Sequence, residues 1–120
     1  MADEGANDPV AAAKRQIEEV TPAQARELRD RGDNVAYLDV RELNEWNLGR
    51  LPHAVHIPLR DVEDKVEGSI SRDQKVVVYC ARGNRSALAA LTMKRMGYQN
   101  VVSMARGIAG WIDIGGEIEE

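Results

Sequence analysis

Short apolar runs alternate with amphipathic stretches along this chain, and each change of period falls at a turn or cap signal. Residues 17–20 predict a short strand. Thr21-Pro22 then supplies an N-cap with proline at the first helical position, and Ala25 and Leu28 carry a helix to residue 31, where Gly32 stops it. Residues 35–40 read as a buried strand, 42–48 as a short helix ended by Gly49, 54–57 as a brief strand closed by Pro58, and 61–66 as helical. The strongest strand is 75–79, where Val76, Val77 and Val78 stand in a row and imply burial on both faces of a sheet. A helix over 87–96 follows, capped by Ser86, carrying Leu88, Leu91 and Met96 inward and ended by Gly97. A strand over 101–104 and a helix from 107 to 111 complete the pattern. Such alternation implies an α/β domain with a mainly parallel sheet of about five strands covered on both faces.

Residues 1–13 are small and polar and predict a loose tail ahead of a domain spanning 14–120, although Asp8-Pro9 has the form of a start signal for a short helix to Gln16. With Phe absent and 43% of residues apolar, the core should be aliphatic. A net charge of −4 argues against general nucleic-acid binding. No apolar run approaches membrane-spanning length. Met1-Ala2-Asp3-Glu4 lacks the basic and apolar regions of a signal peptide, so a reducing, cytoplasmic setting is expected. A monomer is expected as well. One Cys excludes an internal disulfide, and one Cys with two His predicts no metal site and no other cofactor. His53 and His56 lie in a Pro-flanked extended stretch and read as structural or surface residues.

The chemistry concentrates at Cys80. It ends the strongest strand and opens the run Cys80-Ala81-Arg82-Gly83-Asn84-Arg85-Ser86, with a helix directly after it. In open parallel sheets the carboxyl end of a strand is where ligands sit. Taken alone, a single Cys at a strand end is core. A core cysteine, however, needs neither Gly83 nor two arginines nor an immediate helix start. Between Asp73 and Asp113 there is no Asp or Glu, while Lys75, Arg82, Arg85, Lys94, Arg95 and Arg106 all fall there. Lys94 and Arg95 complement the dipole at the helix end. The rest describe an electropositive site in an acidic chain, where a thiol is made more acidic and more nucleophilic.

Four segments in order carry a resemblance. They are Leu38-Asp39-Val40-Arg41-Glu42-Leu43-Asn44-Glu45-Trp46, the stretch from Gly49 to Leu59, Val78-Tyr79-Cys80 through Ser86, and Gly107-Ile108-Ala109-Gly110-Trp111. Together they resemble the single-domain rhodaneses, or sulfurtransferases, over about residues 17–114. The resemblance implies a rhodanese-like three-layer α/β/α fold. It also implies that Cys80 takes sulfur from a small anionic donor such as thiosulfate, becomes a persulfide, and passes the sulfur to cyanide or a thiol, which could belong to a protein. Ala81, Arg82, Gly83, Asn84, Arg85 and Ser86 would surround the terminal sulfur with N–H groups. Arg82 and Arg85 would hold the dianionic donor. Asp39, Arg41 and Glu45 would be scaffold, with Asp39, Arg41 and Arg106 as possible supports of the loop. Trp46 and Trp111 read as core or pocket wall. Arg50 stands where the family usually has His, His53 where it usually has Gly, and Arg106 where the first of two glycines is usual.

Two other readings share these residues. Cysteine phosphatases and arsenate reductases related to this fold use a longer Cys-to-Arg loop, whereas four residues separate Cys80 from Arg85 here. That smaller loop suits one sulfur atom better than a phosphate. A non-catalytic rhodanese-like binding or sensing module is the other alternative; such modules often lack the cysteine that this chain keeps.

Overall fold

The computed structural model describes residues 8–120. Its centre is a five-stranded, wholly parallel sheet built from β1 (Glu18–Val20), β2 (Val35–Asp39), β3 (Val55–His56), β4 (Lys75–Tyr79) and β5 (Val101–Met104). The strand order is β1-β5-β4-β2-β3, which puts β4 in the middle. Val77 stands beside Tyr37 on one side and Val102 on the other. The helices are α1 (Pro9–Gln16), α2 (Pro22–Asp30), α3 (Leu43–Leu48), α4 (Val62–Lys65, flanked by 3-10 turns), α5 (Asn84–Arg95) and α6 (Gly107–Asp113). No described helix is long and apolar enough to cross a membrane.

Side-chain alternation along the strands divides the core in two. Leu38, Val40, Val76, Val78 and Cys80 face one way, onto Val62, Val66, Ala89 and Met93 of the α4–α5 layer. Tyr37, Val77, Tyr79, Val102 and Met104 face the other way, onto Ala25 of α2 and Ile108 and Trp111 of α6. The three valines of β4 thus serve both layers and are wholly buried, each contributing about 1.5–3 kcal/mol of hydrophobic stabilisation. The α/β/α layering expected from the sequence is present, and Trp111 is core.

Two elements differ from the expectation. Helix α1 begins at Pro9, with Asp8 Oδ1 accepting the N–H groups of Val10 and Ala11. It packs on α5, and Ala13 is wholly buried, so residues 9–13 are part of a docked helix rather than of a loose tail. The remainder of the expected tail, residues 1–7, lies outside the described residues.

Helix α5 begins at Asn84, ahead of the expected start. Gly83, at φ 95°, turns the chain sharply enough for the helix to start at once, and Ser86 falls inside the first turn instead of capping it. The wholly buried positions of α5 are Ser86, Ala87, Ala89, Ala90 and Met93, while Leu88, Leu91 and Met96 are half-buried. The small residues at four of these five positions let α5 lie close to the sheet on one side and α1 on the other.

Candidate active site

Strand β4 carries Cys80 to the carboxyl edge of the sheet, and the next residues wrap its sulfur. Gly83 N–H donates to Cys80 Sγ at 3.2 Å and Ser86 N–H at 3.3 Å. Ser86 Oγ lies 3.5 Å from Sγ and 2.8 Å from Ser103 Oγ. The Ser86 N–H belongs to the first turn of α5, where backbone donors lack helical partners and the helix dipole is positive. Cys80 itself is buried, with 1% of its surface exposed.

The loop is aimed from behind by α6. Ile108 N–H donates to Cys80 O at 2.9 Å, and Ala109 N–H to Ala81 O at 3.2 Å. With these carbonyls turned toward α6, the loop's N–H groups turn toward the sulfur. Gly107 permits this approach: a Cβ there would collide with the backbone of Cys80 and Ala81. Gly83 is also crowded, with Arg106 N 3.0 Å from the position a Cβ would take.

Burial pushes the Cys80 thiol up. Hydrogen bonds from the Ser86 hydroxyl and from the N–H groups of Ser86, Arg82 and Gly83 outweigh it, and the thiol is held below its ordinary range. The arrangement favours an anionic sulfur.

The arginines are arranged otherwise than expected. Arg85 does not offer a free guanidinium: it makes two parallel bonds to Glu45 of α3, at 2.7 and 2.9 Å. Glu45 is therefore a specific partner of the loop and no mere surface charge. The Arg85 hydrogen bond lowers its carboxyl from 4.5 to about 2, with burial opposing. Arg82 is exposed, and together with Arg106, Ala109 and Asp113 it lines a cavity of about 340 Å³ beside the loop. Arg106 pairs with Asp113 at 2.9 Å. Asn84 turns away from the sulfur and accepts from Lys14 Nζ of α1 at 3.1 Å.

Asp39 and Arg41 form a buried pair. Arg41 Nε reaches both carboxylate oxygens, Nη2 reaches one of them at 2.7 Å, and the Arg41 N–H bonds the same carboxylate. Arg41 Nη2 also donates to Gly49 O, tying the end of β2 to the exit of α3. His56 Nε2 meets Arg41 O at 2.8 Å, and its ring stacks on Trp46 at 4.8 Å, with the Arg50 guanidinium on Trp46 at 4.6 Å. These residues are scaffold for α3, which carries Glu45 to the loop.

His53 and Arg106 both hold left-handed backbone, at φ 63° and 65°. That conformation explains why glycine is usual at both places. Ser103 was missed in the sequence. Its signal was a serine within the apolar run Val101-Val102-Ser103-Met104, wholly buried and facing Ser86.

A family model for the rhodanese-like domain matches residues 21–114. A putative sulfur carrier protein of Bacillus subtilis, YrkF, is 32% identical over 95 residues, covering 79% of this chain and 51% of that protein, so the chain spans about half of its length. A thiosulfate sulfurtransferase of Pseudomonas paraeruginosa, GlpE, is 32% identical over 95 residues, covering 79% of this chain and 84% of the relative. Among solved structures, a Rhodopseudomonas palustris protein of unknown function, described as a possible tyrosine phosphatase, superposes with a TM-score of 0.84. It is 32% identical and covers 92% of this chain and 91% of its own. With the sheet, the Cys80 loop and these matches in agreement, the chain belongs to the rhodanese-like domain family.

Proposed function

We propose that this protein is a sulfurtransferase that carries sulfane sulfur on Cys80. The observation that carries the reading is the convergence of the Gly83 and Ser86 N–H groups and the Ser86 hydroxyl on one buried sulfur. The two N–H donors stand in place before reaction and the Ser86 hydroxyl is close enough to turn its hydrogen to an anion, so negative charge is favoured at that point. With thiosulfate as donor, the Cys80 thiolate attacks the outer sulfur. The S–S bond of thiosulfate breaks, its electron pair leaves with sulfite, and Cys80 becomes an anionic persulfide. Cyanide or a thiolate then takes the terminal sulfur, as thiocyanate or a new persulfide, and the Cys80 thiolate is restored. Each step conserves charge and calls for no external base or oxidant.

The narrow loop favours a donor that presents one sulfur atom, because Sγ is covered and the nearest N–H groups already point at it. A phosphate ester would need a wider cradle and a free arginine, and Arg85 is held by Glu45. Among the described residues Arg82 carries no ion pair, so it is the cation that draws the donor dianion. A protein thiol as acceptor is in keeping with the sulfur carrier among the relatives.

Intact-mass measurement of the reduced protein before and after thiosulfate tests the reading. Wild type should gain one sulfur atom and lose it on adding cyanide, and Cys80→Ser should gain none. A folded wild type with a free thiol and no added sulfur would overturn the proposal and turn attention to partner binding or phosphate-ester hydrolysis.

A further inference from the structure

Behind the Cys80 loop lies a second hydroxyl, on strand β5. Ser103 sits in β5 beside Val78 of β4 and is wholly buried. Among the described residues its hydroxyl has one hydrogen-bond partner, Ser86 Oγ at 2.8 Å, and Ser86 Oγ is in turn 3.5 Å from Cys80 Sγ. We propose that Ser103 is a positioning residue: it donates to Ser86 Oγ and so commits the Ser86 hydroxyl hydrogen to the sulfur on Cys80.

Cys80, Ser86 and Ser103 are closed to water, so every hydroxyl hydrogen there needs an acceptor within the group. When the sulfur is an anion, the chain runs Ser103 O–H to Ser86 Oγ and Ser86 O–H to Sγ, and both hydroxyl hydrogens are used. When the sulfur is a neutral thiol that donates to Ser86 Oγ, the Ser86 hydrogen turns back to Ser103. The Ser103 hydrogen then has no acceptor among the contacts of this buried pair. An unmet donor in such a place is costly, so the relay is better satisfied around an anionic sulfur. The same polarity serves a thiolate and a persulfide alike. Serine in the middle of an apolar strand has here a polar task that Ala or Val could not fill.

The charged and titratable groups on the elements around the sulfur include Lys75 and Tyr79 on β4, Arg82 in the loop, Arg85, Lys94 and Arg95 on α5 with Glu45 of α3 against Arg85, and Arg106 before α6 with Asp113. The buried Asp39–Arg41 pair stands at the end of β2. Among the described residues none of these is hydrogen-bonded to the Ser103 hydroxyl, so the effect of removing it should pass through Ser86.

The inference rests on Cys80 being the reacting sulfur, and its test reads ionisation of the thiol with no sulfur donor present. Rates of iodoacetamide alkylation, followed by mass against pH, give the ionisation midpoint of Cys80 in wild type, Ser103→Ala, Ser86→Ala and the double variant. Ser103→Ala removes one oxygen, and circular dichroism of each protein at each pH confirms the fold. The midpoint should rise by about 0.5–1 pH unit in Ser103→Ala and further in Ser86→Ala. In the Ser86→Ala background, Ser103→Ala should add nothing. An unmoved midpoint in Ser103→Ala, or an equal shift in both backgrounds, would overturn the relay. If the midpoints move as expected while thiosulfate leaves no sulfur on Cys80, the relay stands and the donor assignment fails.

Discussion

Glu45 and Arg85, 40 residues apart in sequence, lie fork to fork at the rim of the Cys80 loop, with guanidinium nitrogens 2.7 and 2.9 Å from the two carboxylate oxygens. The pair anchors the first turn of α5 to α3. It also takes one of the two loop cations out of contention for an anionic donor. Charge near the sulfur is thereby set less by how many arginines the loop contains than by which of them are already matched.

The pair should show itself in the pH dependence of stability. Glu45 is depressed from 4.5 to about 2, chiefly by the Arg85 hydrogen bond. A lowered carboxyl contributes stability that is full above the unfolded value and is lost as pH falls through the folded one. Both side chains are about one-third exposed, which limits the contribution to about 0.5–1 kcal/mol. Urea unfolding should find wild type more stable than Glu45→Gln by that margin near neutral pH, with the gap closing between pH 4.5 and 2. A gap of constant size would assign the effect to packing.

Donor use should separate the two arginines of the loop. Arg82 is exposed on the cavity that it shares with Arg106 and Asp113, whereas the Arg85 charge is balanced. One solvated charge a few ångströms from a dianion contributes about 1 kcal/mol, or about fivefold in affinity. Steady-state kinetics with thiosulfate should therefore give Arg82→Ala a KM raised about fivefold at low salt, with kcat little changed. That difference should shrink as ionic strength rises. Arg85→Ala should raise KM less. The reverse order would return donor binding to Arg85.

Why the sequence was informative in some places and silent in others can be seen residue by residue. Strand β4 was legible over its whole length because three valines in a row fit a strand buried on both faces and little else. The Cys80 loop was legible because its chemistry is local: Gly83, the following helix and the sulfur lie within a few residues. The start of α5 was placed too late because Ser86 looks like a cap, and nothing in the residue types shows that its hydroxyl turns inward to the sulfur. The Glu45–Arg85 pair and the Ser86–Ser103 contact were out of reach, since each depends on which side chains the sheet order brings together across many residues. Arg82 and Arg85 look alike in the sequence; only the position of α3 distinguishes them.

The buried Asp39–Arg41 pair should be costly to break. Asp39 is wholly buried and Arg41 is 5% exposed, so an Asp39→Asn change leaves a guanidinium without its counter-charge in a closed space. A loss of about 3–5 kcal/mol is expected in denaturant unfolding. Replacing both with apolar residues of similar size should recover a large part of that loss, because the desolvation cost disappears with the charges. If Asp39→Asn lost less than 1 kcal/mol, the pair would not be what holds the end of β2 to the exit of α3.

Left-handed backbone recurs at His53, Arg106 and Gly107, and the space around each decides what substitution should do. His53 is exposed, so only its own conformation is at stake. A β-carbon in the left-handed region costs about 1–2 kcal/mol, and glycine gives back about 0.5–1 kcal/mol through the freer unfolded chain. His53→Gly should accordingly stabilise by about 0.5 kcal/mol, a rise of about 2 °C in Tm for a chain of this size. Arg106→Gly relieves the same strain but gives up the exposed contact with Asp113, so its net change in Tm should be smaller. Gly107→Ala combines the strained φ with a collision against the backbone of Cys80 and Ala81. It should destabilise by about 3 kcal/mol or more. It should also raise the alkylation midpoint of Cys80, because the loop carbonyls could no longer stay against α6. Thermal unfolding of the three variants, with alkylation of the third, checks the set. A Gly107→Ala protein with wild-type Tm and wild-type thiol reactivity would mean that α6 does not aim the loop.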